Sequence, residues 1–165
     1  HTRCLSDWSS DVCSSDLASP FGKVVSQRAH NGGGLLTWVL SVSDIKTFEN
    51  RLGRESVDGH RRRPDGSELN WKQIGVLGTL EDRQLPFFIE WLTNDHPSKE
   101  AKAVAKIEKL EIAGDPERVR ECIGEDFESA FAGIALEWVD PAENSGETGI
   151  FAVHFATPNG TFRLD

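Results

Sequence analysis

Long apolar runs are missing from this chain, and no stretch approaches the roughly 20 residues that a membrane-spanning helix needs. Basic residues are outnumbered, 18 Lys and Arg against 27 Asp and Glu, for a formal net charge of −9. A surface built to neutralise phosphates is therefore not expected, so neither nucleic acid nor a membrane is an expected partner. Cysteine is scarce, with three in 165 residues, and Cys4, Cys13 and Cys122 draw neither a zinc spacing nor a disulfide framework. The histidines at 30, 60, 96 and 154 form no HxH or HxxxH pair. There is no Ser-His-Asp order with a nucleophile elbow. The triple glycine at 32–34 is not followed by the Lys-Ser/Thr of a phosphate loop, and reads as a connector.

What is present begins with an unusual tract, DWSSDVCSSDL at residues 7–17. It lacks the apolar centre of a signal peptide. Its codons can be written so that they match a common sequencing-library adapter read in one frame, so residues 1–17 are expected to be non-native and disordered. The prefix holds three aspartates and one arginine, so without it the −9 becomes −7 and the remainder is still acidic. Cys122 is then the lone cysteine, which fits a reducing, cytoplasmic setting.

From Ala18 the chain reads as alternating short elements. A brief helix over Gly22–Ala29 leads into the glycine connector, giving a helix and linker over 18–34. Leu35–Asp44 alternates Leu36, Trp38, Leu40 and Val42 against smaller or polar neighbours, the period of a strand. Asp44 sits where a helix cap belongs, Ile45, Phe48 and Leu52 form a helical stripe, and Gly53 ends it. VDGHRRRPDGSELNWKQIGVLG predicts a hairpin about Pro64-Asp65-Gly66, and LPFFIEW (85–91) a strand covered on both sides. After a linker at 93–103, AVAKIEKLEIAG reads as an imperfect strand. Asp115 and Pro116 open a helix that stops at Gly124. IALEWVD, GIFAVHFATP and TFRLD supply three more strands. The economical description is α+β, with one βαβββ module over 35–92 and a second, looser βαβββ-like one over 104–165.

The hairpin and LPFFIEW hold the densest group of Arg, Trp, Phe and Glu. Arg61 and Arg63 point to one face of a strand and Arg62 to the other. Two arginines on one face could clamp a carboxylate or phosphate, or protect an edge hairpin by charge. Glu90 stands among Phe87, Phe88, Ile89 and Trp91, where an unpaired carboxylate would be costly to bury. Pairing with Arg61 or Arg63, metal or acid/base duty, and exposure to solvent all remain open for it. His154 reads as a satisfied strand histidine, His96 as ordering a loop before Pro97, and Cys122 as a packing residue.

ASPFGKVVSQRA, WVLSVSD, GHRRRPDGSELNWK, LPFFIEW, DHPS and EIAGDPERVRE, in this order, resemble bacterial glyoxalase-like domain proteins of the vicinal oxygen chelate superfamily. The resemblance runs from about Ala18 to the C-terminus. It implies paired βαβββ modules with curved mixed sheets around a small-molecule site. It also implies a further module before Ala18, so the chain is expected to be incomplete at its N-terminus.

The resemblance makes Arg61, Arg63, Trp71, Phe88 and Glu90 candidate ligand-binding residues. Superfamily metal ligands come from first and last strands; here the first-strand position is Thr37, and Glu90 is the only last-strand carboxylate. No metal or other cofactor is therefore expected in this fragment, whereas the full-length parent would carry a divalent metal. That parent is expected to be a metal-dependent lyase, isomerase or dioxygenase, the fragment being inactive. The alternative is a metal-free ligand-sequestering or sensing module. Either would take a small-molecule ligand, and an exposed sheet could support a homodimer.

Overall fold

The computed structural model describes residues 19–63, 65–93 and 104–165. The adapter-like tract, Pro64, His96 and most of the 93–103 linker lie outside the described residues. Helix α1 (Pro20–His30) is capped by Ser19, whose Oγ accepts the Gly22 N–H at 3.0 Å, one turn longer at its ends than the sequence suggests. Strand β1 (Val39–Ser41) is much shorter than the Leu35–Asp44 expectation. Only these residues pair with Phe87–Ile89, and Phe87 N–H to Trp38 O and Val42 N–H to Ile89 O close the ladder at its two ends. Trp38, Leu40 and Val42 still pack against the core, so the alternation holds where the pairing stops.

Helix α2 (Ile45–Leu52) begins at Asp44, whose Oδ1 accepts the Lys46 N–H at 3.0 Å, and ends at Gly53 with φ of 62°. That left-handed conformation is one a side chain disfavours and glycine does not. Strands β2 (Val57–Arg62) and β3 (Glu68–Ile74) form the hairpin. The short helix α3 (Gly78–Glu81) occupies the loop before β4 (Phe87–Trp91). The first sheet has the order β1-β4-β3-β2, with β1 parallel to β4 and the rest antiparallel.

The second unit contains β5 (Lys106–Ala113), α4 (Pro116–Ile123), a 3-10 turn at Gly124–Asp126, α5 (Phe127–Ala130), β6 (Ala135–Val139), β7 (Gly149–Thr157) and β8 (Gly160–Leu164). Asp115 caps α4 through the Glu117 N–H at 2.9 Å, with Pro116 as first helical residue. The element order repeats that of the first unit, but the sheet order is β6-β5-β7-β8. Its first strand lies inside the sheet, parallel to β6 and antiparallel to β7. A register shift between Ile107 and Lys109 explains the imperfect alternation of β5, because an extra residue resets the two-residue period there.

One apolar core serves both sheets. Ile45, Phe48, Ile74 and Phe88 join Leu110, Ile112, Val119, Ile123, Phe127, Phe131, Ile150 and Val153 in a single cluster. Gln84 links the units in a second way. Its main-chain oxygen accepts the Trp38 Nε1–H at 3.0 Å, and its Oε1 accepts the Asp115 N–H at 2.7 Å. The Arg51 guanidinium, from α2, also donates to the carbonyl of Ile123 at the end of α4. The α+β architecture is thus two open, mixed four-stranded sheets, each with one face turned to a shared interior. Among the described residues no helix is long and apolar enough to cross a membrane.

Candidate functional site

Strand register decides which candidate side chains can meet, since residues directly opposite share a face and successive residues alternate. Gly59 stands opposite Trp71 and Arg61 opposite Leu69, while Trp71 stands opposite Trp91. Arg61, Trp71 and Trp91 therefore occupy the face of the first sheet that turns away from Phe88 and α2. Arg63 follows Arg61 by two residues, in the turn where its N–H donates to Ser67 O at 2.8 Å. Asp65 fixes that turn by accepting the N–H and Oγ–H of Ser67, at 2.9 and 2.7 Å.

The two indoles form a tilted pair, with ring centroids 5.6 Å apart and planes at 51°. Trp71 Nε1 donates to Gln73 Oε1 at 3.0 Å, which fixes the ring along its own strand. Gly59 makes room for it: a Cβ there would lie 2.3 Å from the indole. The sheet thus presents an aromatic wall with Arg61 on the same side and Arg63 in the adjoining turn.

Phe88 and Glu90 face the other way. Phe88 is 0% exposed and stacks on Phe48 of α2 at 4.0 Å between centroids. Glu90 Oε2 accepts the N–H of Ile45 at 3.0 Å, so the carboxylate closes the first turn of α2. Its cross-strand neighbour Lys72 pairs with Asp58 at 3.2 Å. Of the five candidates, then, Arg61 and Trp71 share one face, Arg63 stands in the turn beyond it, and Phe88 and Glu90 lie on the opposite face.

Two positions are those that the superfamily resemblance marks for metal ligands. Glu90 serves the helix, and the first-strand position is Thr37, whose buried Oγ1 has no hydrogen-bond partner. Among the described residues no three His, Cys, Asp or Glu side chains converge.

A second polar group lies on the face of the second sheet turned away from the core. Glu111, 8% exposed, accepts from His154 Nε2 at 2.5 Å, Lys109 Nζ at 3.0 Å and Arg163 Nη2 at 3.1 Å. Burial alone would raise this carboxyl, but hydrogen bonds from Arg163, His154 and Lys109 outweigh it and hold the group at about 2. Lys109 and Arg163 are also paired outward, with Glu137 and Asp165 at 2.7 Å each. The reading of His154 as a satisfied strand histidine agrees with this contact. Its partner was missed, although Lys109 and Glu111, spaced by two in an apolar strand, signal a polar face. Burial pushes the Cys122 thiol up from its ordinary value, in keeping with a packing role.

A βαβββ unit whose first strand pairs in parallel with its last, one face covered by its helix and the other carrying aromatic and basic side chains, defines a glyoxalase-type α+β domain. The family model described as "Glyoxalase-like domain" matches residues 10–125, more than half of the chain. The chain belongs to this glyoxalase-like domain family of the vicinal oxygen chelate type. Strands β6, β7 and β8 follow the matched region. No curated protein and no solved structure matches the chain.

Proposed function

We propose that the outer face of the first sheet binds a small oxygenated molecule carrying a carboxylate or phosphate. The observation that supports this reading is the placement of Arg61 and Trp71 on one face beside Trp91, away from the helix-covered side, with Arg63 in the turn that follows. Guanidinium groups give paired, directional donors to an anionic oxygen. The indoles offer apolar area against which the body of the ligand can lie.

Metal-free binding is the form of the proposal that the geometry favours, because Glu90 caps α2 on the far side of the sheet. A metal-dependent lyase, isomerase or dioxygenase activity would need ligating residues beyond Glu90, and the chain as given is proposed to be inactive alone. The proposed setting is cytoplasmic, in keeping with Cys122 as the only free thiol among the described residues.

The test is a tryptophan-fluorescence titration of the full chain with a small aromatic carboxylate, benzoate, and with phenyl phosphate, in the presence and absence of EDTA. Saturable quenching that persists in chelator and is lost in Arg61→Ala and Trp71→Ala supports the reading. Absence of a saturable response to either probe, or equal binding by both variants, overturns it. A homodimer through exposed sheet is proposed with it, since Val57, Phe162 and Leu164 are exposed on sheet strands. Sedimentation velocity showing only monomer over a tenfold concentration series would remove that part.

A further inference from the structure

Among the described residues four strands are sheet edges, β1 and β2 in the first sheet and β6 and β8 in the second. An edge presents unpaired main-chain N–H and C=O groups that can pair with another chain, and folded proteins guard against this with short strands, charges, prolines and bulges. Three of the four edges are guarded. β1 has only three residues, β2 carries Asp58, His60, Arg61 and Arg62, and β6 has a half-exposed carboxylate, Glu137, at its centre.

Strand β8 lacks these devices. All five of its residues are exposed, none is lysine or proline, and its pairing with β7 runs without a register shift. Its one charge, Arg163, is drawn onto its own sheet, where Glu111 accepts from it at 3.1 Å and the Phe151 ring lies 5.4 Å away. On the core-facing side the register sets Ile107, Phe155 and Phe162 in a row across β5, β7 and β8. Phe155 packs on the core and stacks with Phe162 at 6.4 Å, but Phe162 itself is 56% exposed. The apolar row thus stops at an open edge with its last ring uncovered.

We propose that two copies of this chain associate through β8, pairing antiparallel about a two-fold axis at Phe162. This rests on the homodimer reading above and assigns the strand that carries it. Charge selects the register. Residues directly opposite share a face, so an axis at Phe162 sets Phe162 against Phe162, Gly160 against Leu164, and Thr161 against Arg163. Each uncovered ring is then covered by its counterpart, and the apolar row continues through both sheets. Moving the axis to Arg163 would set two guanidinium groups opposite each other, which is destabilising. Moving it to Leu164 would join only the ends of the two strands. A pairing of five residues is small, so the dimer is weak and reversible.

The test is sedimentation velocity of the full chain over a wide concentration range, with amide chemical shifts of the ¹⁵N-labelled chain over the same range. The expected result is reversible dimerisation with concentration-dependent shifts centred on residues 160–164. Thr161 is exposed and lies on the face away from the core, so its variants should fold, and the spectra report whether they do. Thr161→Lys should weaken the dimer and Thr161→Glu strengthen it, by up to about fivefold at each of the two symmetric contacts with Arg163. A dimer indifferent to both variants, or one whose shifts centre on Val57–Arg62, overturns this assignment and leaves a homodimer through other sheet standing. Monomer throughout overturns both, and leaves the β8 edge to an extended segment of another protein.

Discussion

The carboxylate of Glu90 accepts the backbone N–H of Ile45 at 3.0 Å, so a side chain on β4 closes a helix that begins 45 residues earlier. Asp44 supplies the neighbouring bond to Lys46, and the two acceptors together satisfy two of the first turn's free donors. Glu90→Ala is expected to lower stability by about 1 kcal/mol, the scale of a lost helix cap. Glu90→Gln keeps an acceptor and should lose less. Urea denaturation measures both, and the fluorescence response of Trp71 to ligand should be unchanged in either. A Glu90→Ala chain of normal stability that no longer binds ligand would reverse the assignment.

Phe88 has the largest expected effect on stability of the five candidates. It is fully buried and stacked on Phe48, so Phe88→Ala should cost about 3–5 kcal/mol through lost transfer energy and a cavity. A double-mutant cycle with Phe48→Leu should give a coupling of about 0.5–1.5 kcal/mol for the ring pair. Coupling near zero would mean that the rings share only a general apolar setting.

Gly59 is required by its neighbour and not by its own backbone. A methyl group there would press into the Trp71 indole, so Gly59→Ala should displace the ring and cost about 1–3 kcal/mol, as overpacking does. Near-ultraviolet circular dichroism should register the broken Trp71–Trp91 arrangement, with weaker binding of the anionic probe. An unaltered aromatic spectrum would show that the indole packs elsewhere in solution.

Glu111 makes acid stability a property of the second sheet. Its folded-state carboxyl is held at about 2, below the ordinary 4.5. A depressed carboxyl stabilises the fold above the unfolded value, and that contribution is lost as pH falls from about 4.5 through about 2. Urea midpoints measured between pH 5 and pH 2 should therefore fall less steeply in Glu111→Gln than in the parent chain. Equal slopes would mean that Arg163, Lys109 and His154 do not hold the charge in solution.

The local signals were legible in the sequence wherever one segment contains its own cause. Asp44 and Gly53 bracket α2, Asp115 and Pro116 open α4, and the hairpin turns at the expected place. The α+β class followed from that order of elements, and the family from the resemblance carried by blocks such as GHRRRPDGSELNWK and LPFFIEW. Two features were not legible, because they depend on which strands become neighbours. The split of Arg61 and Trp71 from Phe88 and Glu90 is set by the register of β3 with β2 and β4, which no single strand encodes. The Glu111–His154 contact joins residues 43 apart, and the β-bulge in β5 changes which side chains share that face. The different order of the second sheet has the same origin, since similar helix and strand signals are compatible with either position for the first strand.

The single interior that Phe88 shares with Ile112 and Val153, reinforced where Gln84 meets both Trp38 and Asp115, leaves neither half of the polypeptide self-sufficient. Melting should proceed as one cooperative event, with the calorimetric enthalpy equal to the van't Hoff value. Excising either half would expose aromatic surface that the other normally shields, and the product should precipitate.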